Sequence, residues 1–351
     1  MKRLSIFLIL SLLLFTTCVE PVNVNLGEPV KRLVVDGMIT TKPGPYTIKL
    51  TTTAKYSVSS EGTNFLLKGA TVRISDDTGY NEQLTEVSSG IYRTNANGIQ
   101  GQVGRTYTLH IETEGKQYQS VPELLRATTG VENVSVEFKY EAPGVKEGFY
   151  VYVDTKDPVE TEDFYRWNWV HYARETICFN DIVPPGTQPT VLDCCGNCWN
   201  IYGCNGCVNI ASDVYANGTT ISRQLLAIAP YTSRSKYFLY YEQFSLSKDA
   251  YKFWKGLDQQ INNVGGIFDA PPAIIRGNMF NVADEDEIVL GFFGASDVKP
   301  GFVNIDRSGI PKPPNEPPPV MRPPLSGPPP PCYPCIESII RTPNTPPLWQ
   351  D

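Results

Sequence analysis

Histidine is nearly missing from this chain: His110 and His171 are the two in 351 residues. Imidazole is the commonest general base and metal ligand, so its scarcity closes the easiest routes to acid–base and metal chemistry. Charge is sparse too, at 19% of residues with a formal net of −7, and no basic patch stands out. Phosphate binding needs clustered Lys and Arg, so nucleic acid is not an expected partner. There is no Gly-x-Ser-x-Gly elbow, no Walker loop, no dinucleotide fingerprint and no His-Glu-x-x-His helix. His171 precedes Cys178, but strand alternation points the two apart, which argues against a cysteine nucleophile. A glycosidase needs only two suitably spaced carboxylates, and 37 acidic residues leave that route open. No cofactor and no metal site is expected.

A long hydrophobic run is also lacking. The apolar stretch Leu4 to Phe15 follows Met1-Lys2-Arg3 and ends before Thr16-Thr17-Cys18. It is shorter than the roughly 20 residues that span a bilayer, and it has the layout of an export signal. A cysteine directly after the apolar region is where lipoprotein signals are cut, so residues 1–17 are expected to be removed and Cys18 to carry lipid. The alternative is an ordinary secretory signal with an incidental cysteine.

What the chain does have is cysteine, proline and strand formers. Beyond Cys18 lie Cys178, Cys194, Cys195, Cys198, Cys204, Cys207, Cys332 and Cys335, an even set that in an exported protein reads as disulfides. Zinc is the rival reading, because Cys195-x2-Cys198 and Cys204-x2-Cys207 are paired like a knuckle. Only five residues separate the pairs, where ribbons use about 15 to 20. A redox-active pair is a third option. Cys194 and Cys195 are adjacent and should bond different partners. Sixteen of the 30 prolines fall between Pro311 and Pro347, a stretch that builds no core of its own. Cys332 or Cys335 is therefore expected to staple this tail into the cluster at 178–207; a local Cys332–Cys335 bridge is the competing outcome.

Strand signals recur from Arg32 onward with Gly, Asp and Pro turns between them. The expected fold is mainly β: a tether over 18–30, an immunoglobulin-like sandwich over 31–125, and a larger β-sandwich domain over 126–310. The second domain carries a cysteine-rich insertion at 176–212 and one covering helix, and residues 311–351 form the proline-rich tail. His110 reads as a surface residue of its strand, and Asp76-Asp77 as a turn. The helix is expected after Ser247, an N-cap, with Ala250, Phe253, Trp254, Leu257 and Ile261 as its apolar stripe and Gly265-Gly266 as its stop. The acidic run Asp284 to Glu287 reads as a solvated hairpin tip between strands at 273–275 and 287–293. On a strand, Tyr165, Trp167, Trp169 and His171 share one face. Trp167 and Trp169 are thus candidates for stacking on a sugar or another ligand, although sandwich cores also bury Trp in this way, and that is the favoured reading.

In order and spacing the chain resembles the Bacteroidota outer-membrane lipoproteins grouped as domain of unknown function 4249. The resemblance rests on Arg32-Leu33-Val34-Val35-Asp36-Gly37-Met38-Ile39, Gly44-Pro45-Tyr46-Thr47-Ile48-Lys49-Leu50, Gly69-Ala70-Thr71-Val72 and Gly90-Ile91-Tyr92. Further pieces are Ala250-Tyr251-Lys252-Phe253-Trp254, Pro271-Pro272 with Gly277-Asn278, Val289-Leu290-Gly291-Phe292-Phe293, and the ending Cys332-x2-Cys335 with Pro347-Leu348-Trp349. It implies a non-catalytic lipoprotein anchored in the outer membrane, on its periplasmic or cell-surface face. It also implies an accessory or binding role beside a TonB-dependent transporter barrel. A glycan- or small-ligand-binding surface lipoprotein is the alternative, and an uncharacterised hydrolase the third.

Overall fold

The computed structural model describes residues 31–53, 65–156, 158, 161–178, 195–204, 206–213, 218, 220–232, 234, 236–263, 273–315 and 335–349. The signal and Cys18, the tether, Cys194 and Cys332 lie outside the described residues, as do the side chains of Cys178 and Cys195. The protein is mainly β, with 53% strand and 6% helix among the described residues, as the turn-punctuated pattern predicts.

Two sheets form the first sandwich. One runs in the order β19 (Leu290–Ser296), β1 (Leu33–Thr40), β2 (Thr47–Thr52), β7 (Ile91–Arg93), β6 (Thr85–Ser88), with β3 (Phe65–Leu66) on β2. The other runs β18 (Met279–Asn281), β9 (Lys116–Ser120), β8 (Thr106–Thr113), β4 (Thr71–Asp76), β5 (Asn81–Gln83), with β10 (Glu123–Leu124) on β8. Period-two alternation sends Val35, Ile39, Ile48 and Leu50 inward against Val72, Ile74, Leu109 and Ile111, all buried. Each such side chain stabilises by about 1.5 to 3 kcal/mol when withdrawn from water.

The second sandwich pairs a three-stranded sheet, β11 (Asn133–Lys139), β12 (Gly148–Lys156) and β16 (Thr220–Ala229), with a larger one. The larger sheet runs β20 (Val298–Ile305), β17 (Tyr237–Leu246), β13 (Phe164–Cys178), β14 (Cys195–Gly203), β21 (Arg341–Thr342), and β15 (Asn209–Ser212) also pairs with β13. Its core joins Phe149, Val151 and Val153 to Tyr165, Trp167, Leu239 and Tyr241.

The expected cut between 31–125 and 126–310 is corrected here, because the chain returns. β19 pairs parallel with β1, Val35 opposite Gly291, and β18 pairs with β9, so residues 279–296 complete the first sandwich. Past Asp297 the same strand direction continues as β20, which pairs with β17 in the second. Asp297 is buried at this crossing and accepts hydrogen bonds from Thr41 Oγ1 (2.8 Å) and the Thr128 amide (3.0 Å). A parallel partner that arrives 250 residues later leaves no local signature, which is why periodicity alone assigns these strands to the second domain.

Two local expectations also change. Residues 273–275 are irregular rather than strand: Ile274 is exposed and Ile275 rests against the helix. The strand expected from Glu287 begins at Leu290. Glu287 is not a solvated tip, since it accepts from Lys116 Nζ (2.8 Å), the Tyr118 hydroxyl (2.9 Å) and Asn281 Nδ2 (2.6 Å).

The helix, α1 (Lys248–Asn262), starts where Ser247 predicts: its hydroxyl oxygen accepts from the Ala250 amide, and Asp249 sits in the first turn. Asp76 closes the predicted turn by accepting from the amides of Thr78 (2.9 Å) and Tyr80 (3.1 Å). The tail is stapled: Cys198 of β14 bonds Cys335 with Cα atoms 5.5 Å apart across 137 residues. Cys204 and Cys207 bond each other, so three of the four knuckle cysteines are engaged as disulfides. Trp349 packs on Phe238 (4.9 Å between centroids) and Trp199 (6.0 Å).

Candidate functional site

The outward face of β1 carries Val34, Asp36 and Met38, the residues alternating with the core set. Beside them stand Thr47 and Lys49 of β2 and Leu290, Phe292, Gly294 and Ser296 of β19. Sequence alternation thus makes a second apolar surface on the outside of the first sandwich, and α1 lies across it. Ala250, Phe253, Trp254, Leu257 and Gln260 recur at three- and four-residue steps, which places them on one side of the helix. Between the sheet face and the helix is a cavity of about 970 Å³, lined by all of these residues together with Arg166, Leu246 and Ala273 to Ile275. Ligand cavities are commonly about 300 to 1,000 Å³, and they favour boundaries between domains.

The helix is seated at one end by aromatic contacts. Phe253 meets Phe292 at 5.2 Å and Trp254 at 5.6 Å, and Phe164 meets Tyr251 at 4.9 Å. Two glycines make the sheet face possible. Gly291 has φ of +87°, and a Cβ there would run into the Val35 carbonyl. Gly277 faces the Gly291 carbonyl so closely that any side chain would collide with it.

Arg166 is the one basic side chain that β13 puts into this space. It falls on the face opposite the Trp row, with Phe164, and its guanidinium lies over the Trp254 ring at 3.6 Å. The residue is part-buried, but its Nε is shut from solvent and has no hydrogen-bond partner among the described residues. Burial pushes its pKa down to about 10, with Asp36 opposing that shift. It is therefore still a cation at neutral pH, held by an aromatic face and a distant carboxylate rather than by a bidentate pair. A buried charge with an unmade hydrogen bond costs stability, and such groups concentrate at functional sites. Arg166, Trp254 and Leu257 also line a second cavity of about 420 Å³, bordered by Trp169, Cys204 and Cys207.

The sequence-nominated residues fall out as follows. Trp167 is 1% exposed, and its Nε1 donates to Gln243 Oε1 at 3.0 Å; it is a core residue and has no surface to offer a ligand. Trp169 is partly buried against the same core and reaches the smaller cavity. His171 is buried, with Nδ1 2.9 Å from the Phe238 carbonyl and its ring stacked on Tyr237; burial lowers its pKa to about 4. His110 is half-buried beside Ser75 Oγ (2.9 Å). None of the described cysteines lines the large cavity. Sequence did not nominate Arg166 or Asp36 as site residues, and Trp254 entered only as part of the helix's apolar stripe. The available signal was an arginine on a strand whose same-face neighbour is Phe164, aimed at the apolar stripe of the helix.

One more ionisable group adjoins the site. Glu123 of β10 is 4% exposed and accepts from Asn278 Nδ2 at 3.1 Å, while Asn278 also bonds both backbone groups of Phe293. Burial pushes the Glu123 carboxyl up to about 7, against the Ser247 hydroxyl and the Asn278 amide. Away from the cavities, Ile336, Ile339 and Ile340 stand exposed on the stapled C-terminal hairpin, Ile339 at 95%.

No curated protein matches this chain. The family model described as domain of unknown function (DUF4249) matches residues 19–300, a span that contains every wall of the large cavity, and the chain belongs to that family.

Proposed function

We propose that this protein is a non-catalytic, lipid-anchored outer-membrane binding protein, working as an accessory subunit of a TonB-dependent transporter barrel. We further propose that the cavity under α1 is its ligand site. The observation that carries the binding role is Arg166: a part-buried cation in the wall of a largely apolar cavity large enough for a small molecule. The cavity lining supplies one carboxylate, Asp36, so the described residues offer a hydrolase no pair of acids there. Burial of Trp167 weighs against a glycan platform on that strand. The exposed isoleucines at 336, 339 and 340 support a protein partner, since clustered aliphatics at a surface mark interaction sites. The Met1 to Cys18 pattern supports the lipid anchor.

The test is purification of the native protein from its own membrane fraction, followed by mass spectrometry in three parts. Intact-mass analysis is expected to find acyl groups on Cys18. Proteomics is expected to find a co-purifying barrel. Denaturation is expected to release a small molecule in near-stoichiometric amount, lost in Gly294→Leu, which fills the cavity floor beside Met38. An unmodified Cys18, no barrel and an empty protein would overturn the proposal.

A further inference from the structure

We propose that the ligand of the large cavity is an acyl-chain carboxylate: one carboxylate seated on Arg166, with an unbranched apolar chain between the β1–β19 face and α1. The proposal rests on the cavity being a ligand site and names what it takes.

Three features of the walls select this class. First, the lining is dominated by groups that cannot hydrogen-bond: Val34, Met38, Phe253, Leu257, Ile274 and Phe292 among them. A sugar or an extended peptide would bring many donors and acceptors into that surface and leave them unmatched, at about 1 to 3 kcal/mol each. An alkyl chain brings none. Second, several of the polar side chains present are already occupied. The Ser247 oxygen accepts from the Ala250 amide, and Gln260 donates to the Ala273 carbonyl. Lys49 and Asp36 are exposed on neighbouring strands. Arg166 is left as the part-buried cation of the lining. Third, the lining favours an anion: Arg166 stands in it with Arg32 and Lys49 against the single carboxylate of Asp36. A carboxylate matches the planar guanidinium fork.

The cation–π contact with Trp254 fits the same role. It fixes the guanidinium plane without consuming its in-plane N–H groups. Arg166 is thereby held in place yet remains able to donate.

Isothermal titration of the full chain with dodecanoate and, separately, dodecanol at equal ionic strength tests the inference. Dodecanoate is expected to bind at least tenfold more tightly than dodecanol. In Arg166→Gln, dodecanoate should fall to the dodecanol level while dodecanol binding is unchanged. Gly294→Leu should remove both. Equal wild-type affinities for the two probes would overturn the carboxylate assignment and leave the cavity standing as an apolar site. Binding of neither probe would overturn the cavity reading itself. The wild-type ratio decides without any variant, so a folding defect in Arg166→Gln would not rescue the proposal.

Discussion

The two faces of β13 solve the same problem in opposite ways. On the inner face, polar groups are buried and matched. Trp167 Nε1 and the Thr155 hydroxyl both donate to Gln243 Oε1, each at 3.0 Å. Gln243 Nε2 donates to Thr128 Oγ1 at 2.7 Å, and Gln243 itself is fully buried. On the outer face, one residue along from Trp167, the part-buried Arg166 keeps its Nε out of water with no hydrogen-bond partner among the described residues. Matched burial specifies a fold, because breaking it strands partners that cannot reach water. Unmatched burial of a cation does the reverse, costing stability that something outside the fold can restore. The strand thus separates what holds the protein together from what it holds for a ligand.

The sharpest way to break the inner face is Trp167→Ala. It empties the largest fully buried side chain of the second sandwich and orphans one lone pair of Gln243. A loss of about 3 to 5 kcal/mol is expected, read from the denaturant midpoint. A loss under about 1 kcal/mol would mean that Trp167 is not the core residue it is taken to be.

Gln243→Leu comes next. The volume is nearly kept, but Trp167 Nε1–H and the hydroxyls of Thr155 and Thr128 lose their common partner in a site closed to water. About 2 to 3 kcal/mol is expected, spread over three stranded groups. A neutral result would show that water enters this core and that the inner face is less dry than its burial implies.

How much of this was legible beforehand depends on the range of the contact. The alternation of Tyr165, Trp167, Trp169 and His171 is local, so the shared face and the core role of Trp167 follow from the sequence. The helix is local as well, from its Ser247 cap to its Ala250–Leu257 stripe. What the stripe covers is not local. It lies over β1 and β19, which are separated by about 250 residues and pair in parallel, so no periodicity announces that a cavity forms there. Arg166 escaped notice for the same reason: its significance comes from Trp254, Asp36 and the absence of a bonded partner, none of which a single strand reveals. A pairing of Cys332 or Cys335 with the central cluster was expected from the tail's lack of a core; that the pair is Cys335 with Cys198 depends on β14 meeting β21.

Between the two extremes lies Glu123, buried at the start of α1 and partly matched. Its carboxyl pKa is raised from 4.5 to about 7, first by burial and then by Asp249, against Ser247, Asn278 and Arg126. The folded protein therefore binds this proton more tightly than the unfolded chain does. The contribution is fully present below pH 4.5 and is lost as pH rises through about 7. Glu123→Gln, fixed in the neutral form, should gain on wild type as pH rises from 5 to 8, by roughly 1 to 3 kcal/mol across that span. Chemical denaturation at each pH reads the difference. A constant gap between the two proteins would show that the carboxyl is ionised throughout.

The smallest expected effect is the most informative. Arg166→Met keeps the length of the side chain and its packing on Trp254, but it removes the charge and the unmatched donor. Replacing a buried ion with an apolar residue of similar size is often neutral or stabilising, because the desolvation penalty disappears with the charge. The lost cation–π contact, worth about 0.5 to 2 kcal/mol, works against that gain. Burial lowers the Arg166 pKa even with Asp36 nearby, so desolvation outweighs the Asp36 attraction. The net change in unfolding free energy is accordingly expected to lie between zero and about 1 kcal/mol in favour of the variant. A loss beyond about 2 kcal/mol would make Arg166 a structural strut of the helix seat and erase the distinction between the faces. If stability holds while dodecanoate binding falls, the two sides of one strand are separable: Trp167 belongs to the fold, and Arg166 to the ligand.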